Sequence, residues 1–124
     1  MLPTTRERGA VAVEFALVLP VLLVLVLGII DFGRLFSAQQ TLTYAARSGA
    51  RVMVLQNSST AAIAAAQTAA SPLGTLSTSA FSVSPTTCAA GTQVTFTANY
   101  TLKGTGFFWA SFPLTGTGVM LCGG

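Results

Sequence analysis

The sequence predicts an α+β fold: a long N-terminal helix that begins as a membrane span and continues beyond it, a short second helix, and a small antiparallel sheet. Three observations predict it. From Phe15 to Ile30 about sixteen residues pass without a charge, and counting back to Ala10 brings the run to about twenty-one, the length that crosses a hydrocarbon core at about 1.5 Å per residue. From Asp31 to about Gln56 no proline intervenes and apolar residues recur at helical spacing. From about residue 79 the period changes to two. The chain divides accordingly into a charged leader (1–9), a transmembrane helix (10–30), an amphipathic extension of the same helix (31–57) and an exported domain (58–124).

Composition narrows the function. A hydrophobic content of 52% against 7% charged is too apolar for an ordinary soluble domain. The net charge of +3 comes from six cations and three anions spread along the chain. Arg6 and Arg8 precede the apolar run, Arg34, Arg47 and Arg51 follow it, and Lys103 stands alone. Nothing clusters into a nucleic-acid patch, so no nucleic-acid partner is expected. There is no histidine, and the acids are Glu7, Glu14 and Asp31. That inventory leaves no metal-ligand cluster and no Ser-His-Asp or Cys-His set. Neither an enzyme nor a cofactor, metal or small-molecule substrate is expected.

In the leader, Arg6, Arg8 and the α-amine outnumber Glu7, a weak bias that favours a cytoplasmic N-terminus and an exported remainder. Ordinary signal cleavage near Ser37-Ala38 fits poorly, because the run is long, Phe36 is large, and Asp31 and Arg34 intervene. Pro20 has no N–H and leaves the Ala16 carbonyl without its helical partner, so a kink is expected there. Beyond the span, Phe32, Leu35, Phe36, Leu42, Ala45, Ala46, Gly49, Val52 and Met53 carry the helical period, with Ala46, Gly49 and Ala50 as a small-residue strip that allows close backbone approach. Asp31 and Arg34, at i,i+3, are expected to form a local ion pair. Arg47 and Arg51 share one face; they either contact a partner or are solvated. One helix of about forty-five residues, near 70 Å long, then stops at Gln56-Asn57-Ser58-Ser59.

Ser59 or Thr60 can cap a second helix over Ala61–Ala70. Phe81 and Val83 alternate with serines, and Val94, Phe96, Ala98, Tyr100 and Leu102 alternate with Thr95, Thr97, Asn99, Thr101 and Lys103, the clearest strand in the chain. Gly104-Thr105-Gly106 turns the chain, and Gly116-Thr117-Gly118 is read as a turn before a last short strand, Val119–Cys122. Phe107, Phe108, Trp109 and Phe112 are either an interfacial belt or docking patch or part of the sheet core; most are assigned to the core, with Trp109 the one to touch lipid headgroups. Cys88 and Cys122 form one disulfide if this half is exported, closing a loop of about thirty-five residues and contributing roughly 3–4 kcal/mol in the chain-entropy model; in a reducing compartment they are buried thiols.

The stretch Gly9-Ala10-Val11-Ala12-Val13-Glu14-Phe15, behind a cationic leader, resembles a class III signal, the site cut by prepilin peptidases. Joined to Pro20, the Asp31-Phe32-Gly33-Arg34 exit and Ala45-Ala46-Arg47-Ser48-Gly49-Ala50-Arg51, it resembles the TadE-like family of pseudopilins from bacterial tight-adherence (Flp-type) pilus systems, over about residues 5–55. The resemblance implies a pilin-like fold, cleavage between Gly9 and Ala10, and recognition through Glu14 and Phe15. It also implies assembly contacts through Glu14, Pro20, Arg47 and Arg51. The implied partners are a prepilin peptidase, other pilin or pseudopilin subunits and membrane lipid; the implied location is the inner membrane, single-pass, with the C-terminal domain periplasmic. A carboxylate in the apolar phase is costly. Either the amine exposed at Ala10 offsets that cost, on this subunit or the next, or Glu14 snorkels into the headgroups without a partner. Two other classes stand beside this one: an uncleaved bitopic membrane protein with a partner-binding domain, and a secreted domain released after signal removal.

Overall fold

The computed structural model describes residues 5–123; residues 1–4 of the leader, and Gly124, lie outside the described residues. Helix α1 spans Thr5–Gln56, 52 residues, which at about 1.5 Å per residue is close to 78 Å. It is longer than expected because it begins inside the leader, and it continues through Pro20 unbroken. The expected stop is where α1 ends. Asn57 adopts a left-handed φ of 48°, which Asn tolerates better than most side chains, and its N–H still donates to the Met53 carbonyl at 2.8 Å.

Helix α2 spans Ser59–Ala69, and its N-cap is Ser58, one residue before Ser59 and two before Thr60, the expected caps; the Ser58 hydroxyl accepts from the Ala61 N–H at 3.2 Å. Its face of Ala62, Ala66 and Ala70 is fully buried, and side chains this small let α2 lie close against α1. Two single-turn 3-10 helices, Ser71–Leu73 and Thr78–Ala80, lead into the sheet.

The sheet has strands β1 (Phe81–Ser84), β2 (Gln93–Lys103) and β3 (Ser111–Leu121), antiparallel in the order β1-β2-β3. On β2 the expected alternation holds: Val94, Phe96, Ala98 and Leu102 are buried and the threonine-rich positions face out. The register pairs Phe96 with Val83 on one side and Gly118 on the other, so one apolar face is shared by all three strands. That face is covered by the outer half of α1 through Ala38, Leu42, Ala45, Ala46, Ala50 and Met53.

Here the structure corrects one reading. Gly116-Thr117-Gly118 is not a turn but the middle of an 11-residue β3. Both glycines face α1, and a Cβ at Gly116 would stand 2.5 Å from the Leu42 carbonyl oxygen, one at Gly118 2.6 Å from that of Ala46. The glycines are there because helix backbone meets strand backbone, not because the chain reverses. The expected small-residue strip serves the same contact from the other side: a Cβ at Gly49 would stand 2.6 Å from the Phe96 ring.

Candidate functional site

The residues expected at the processing site lie open on one helix. Gly9, Ala10, Glu14 and Phe15 all lie in α1 with exposed side chains or backbone, and a Cβ placed at Gly9 meets nothing within 4 Å. Glu14 shares a shallow concavity with Val11, Phe15 and Val18, so its carboxylate stands among apolar groups. Ala10 precedes it by four residues, which on a helix is about 6 Å along the axis and on the same face. An amine exposed at Ala10 would thus stand within one turn of Glu14. From Arg6 to Val26 every residue is exposed, and α1 is long and apolar enough to cross a membrane.

Beyond Ile30 the surroundings change at once. Asp31 is only 1% exposed, and the expected ion pair with Arg34 does not form among the described residues. The carboxylate turns inward instead, accepting from the Thr105 hydroxyl at 2.8 Å and from the Thr105 N–H at 3.3 Å. These bonds tie the β2–β3 turn to the point where α1 leaves its apolar run. Composition alone gives no sign of this pairing, since the partners are 74 residues apart.

The aromatic cluster also departs from expectation. Phe107, Phe108 and Phe112 are exposed rather than in the sheet core. Trp109 is the half-buried member: it packs edge-on against Phe32 at 5.5 Å between centroids, and its indole lies over Gly104. Its Nε1–H is buried without a hydrogen-bond partner, so the polar tip that would meet a headgroup is turned inward. Phe32 and Phe36, expected on the apolar face of the extension, are exposed.

Arg47 and Arg51 are exposed on the face of α1 away from the sheet. At intervals of three and four residues they continue a stripe of Phe36, Gln40, Tyr44, Arg47, Arg51 and Leu55, all exposed. Reading the arginines alone misses the three large apolar side chains beside them, which the same helical spacing makes visible.

At the far end the Cys88–Cys122 disulfide is formed, with Cα atoms 5.6 Å apart. The Asn57 Oδ1 accepts from the Cys88 N–H at 2.7 Å, and the Cys122 N–H donates to the Thr92 carbonyl at 2.7 Å. The end of α1, the disulfide and the last strand are thereby joined in one knot of contacts.

Among curated proteins and solved structures, none matches this chain. Residues 9–51 do match the family model described as TadE-like protein. The match begins at the glycine of the leader motif, ends at Arg51, and leaves α2 and the sheet outside it. It is the segment carrying Gly9, Glu14, Pro20, Arg47 and Arg51 that is similar to the TadE-like family.

Proposed function

We propose that this chain is a pseudopilin subunit of a bacterial tight-adherence pilus machine, cut between Gly9 and Ala10 by a prepilin peptidase and acting through helix packing rather than catalysis. The TadE-like match over residues 9–51 supports association with such a system. The observation that carries the finer reading is the pairing of an unclothed apolar helix with a single acid, Glu14, inside its apolar run. Glu14 stands in the fifth position after Gly9, on a helix exposed on every side through Val26. Lipid and neighbouring subunits cover the helix in this reading. Glu14 sets the register by meeting an α-amine, and the stripe of Phe36, Tyr44, Arg47, Arg51 and Leu55 offers the contact surface above the membrane. The disulfide supports a periplasmic location for the sheet, and Arg6 and Arg8 support a cytoplasmic N-terminus.

A second reading, an uncleaved bitopic membrane protein with a partner-binding domain, draws support from the Gly9–Ala10 bond lying within α1, since a peptidase must unwind the helix there. Release of a secreted domain near Ala38 is disfavoured, because Ala38 is buried midway along the same unbroken helix.

The test is the N-terminal residue and mass of the protein purified from its native membrane. A chain that starts at Ala10 is the expected result. One that starts at Met1 favours the bitopic anchor and overturns cleavage. Glu14→Gln is expected to reduce both trimming and pilus output; unchanged levels of both would remove the role assigned to the carboxylate.

A further inference from the structure

We propose that the β2–β3 turn is a second membrane contact: residues 104–110 with Phe112 dip into the outer leaflet beside the point where α1 emerges. The proposal rests on the reading of α1 as a membrane span. It commits to lipid as the occupant of this surface because of where the surface lies.

Three observations meet at the turn. First, position. Counting the span from Ala10 puts its outer edge near Ile30, and Gly28 lies about 3 Å inside that edge along the axis. Phe108 touches Gly28, its ring carbons 3.5 and 3.6 Å from where a Cβ would stand. The side chain therefore reaches the depth of the hydrocarbon boundary while belonging to the β2–β3 turn. Second, exposure. Phe107, Phe108 and Phe112 are 57%, 42% and 41% exposed, and together with Phe32 and Trp109 they form a connected group of rings, Phe107 and Phe108 at 5.0 Å and Trp109 and Phe112 at 6.0 Å between centroids. Three exposed phenylalanines in water are a cost; at the bilayer edge they are a gain.

Third, the backbone that opens the turn is bonded within the chain. The N–H groups of Gly104 and Gly106 donate to the carbonyls of Ala110 and Trp109 at 3.1 and 3.2 Å. The Thr105 N–H donates to Asp31, and the Phe107 N–H reaches the Thr105 hydroxyl oxygen at 3.5 Å. The four donors of residues 104–107 thus have acceptors, which lowers the cost of taking that part of the turn out of water. Asp31, the acid nearest the boundary, is covered by the turn instead of facing lipid. Lys103, at the base of the turn, and Arg34, one turn past Ile30, are exposed cations placed at the level of the headgroups.

The consequence is orientation. With two points of contact, the exported domain is held at a fixed tilt on the membrane instead of swinging on one helix.

The experiment uses the full chain reconstituted in phosphatidylcholine–phosphatidylglycerol vesicles whose acyl chains are brominated near the headgroup. Trp109 is the one tryptophan, so Trp109→Phe gives a background in which single indoles are introduced by Leu23→Trp, Phe107→Trp or Leu121→Trp. Bromine quenching at position 107 is expected to reach at least half of that at position 23, and to exceed that at 121 several-fold. Quenching at 107 no greater than at 121, with position 23 still quenched, overturns the proposal and spares the span. No quenching at position 23 removes the span and the proposal together. A blue-shifted position 107 that depends on protein density and is insensitive to bromine assigns the surface to a second copy, which also overturns it. Should Trp109→Phe prevent the Cys88–Cys122 bond from forming, a fluorophore on Phe107→Cys in the native background gives the same readout.

Discussion

Leu23 and Leu42 stand on one unbroken helix nineteen residues apart, yet Leu23 is 54% exposed and Leu42 is 0% exposed. From Val11 to Val26 every residue of α1 is exposed, whereas the outer half buries one face against the sheet and α2. An apolar period points a side chain somewhere only where a polar face exists for contrast. From Phe15 to Ile30 there is no such face, so nothing in the apolar run itself gives the helix a direction. In the extension, small residues on one side and Gln40, Arg47 and Arg51 on the other give the helix a front and a back.

The same substitution made in both halves is the strongest way to break that contrast. In detergent micelles, with denaturation followed by Trp109 fluorescence, Leu42→Ala is expected to cost about 2–5 kcal/mol. Leu23→Ala is expected to change stability by less than about 0.5 kcal/mol. Equal losses would mean that the span is packed by its own chain after all.

A second pair sharpens the contrast at glycines. Gly118→Ala places a Cβ 2.6 Å from the Ala46 carbonyl oxygen, and forcing α1 off β3 is expected to cost about 1–3 kcal/mol. Gly33→Ala meets nothing within 4 Å and sits in the helix, where the change is expected to be neutral or to stabilise by about 0.5–1 kcal/mol. Opposite signs for one substitution, read from the same denaturation curves, would establish that helix and strand approach through backbone.

The smallest effect marks where the helix ends. Ser58→Ala removes the acceptor for the Ala61 N–H and is expected to cost about 1 kcal/mol, while Ser59→Ala, inside α2, is expected to leave stability within about 0.5 kcal/mol. A reversed order would return the cap to the position the sequence suggests.

How much of this was legible depends on whether a signal is local. The stop of α1 at Asn57 and the alternation on β2 are carried by neighbours in sequence and are found where they were expected, and two cysteines leave one pairing to make; the start of α1 lies earlier than expected, inside the leader. Gly116 and Gly118 misled because a glycine that reverses a chain and a glycine that admits a helix look alike in one dimension. Asp31 misled for a related reason. Arg34 was the nearest opposite charge along the helix, but Thr105 was the nearer donor in space. The aromatic run looked like core because its side chains are large and apolar, whereas the β2–β3 turn carries Phe107 and Phe108 past the sheet's covered face to the end of the apolar run, beside Gly28.

The sequence by itself determined that a charged leader, an apolar span, an amphipathic extension and a two-residue alternation follow one another, because these depend on composition and period along the chain. It also placed the acid at Glu14 behind a glycine and two arginines. Only the tertiary structure decided which face of the extension is covered, that helix and strand meet through glycine, and that Asp31 holds Thr105 at the end of the apolar run. Those outcomes depend on contacts between residues far apart in sequence, and such contacts are chosen by packing and hydrogen-bond satisfaction in three dimensions.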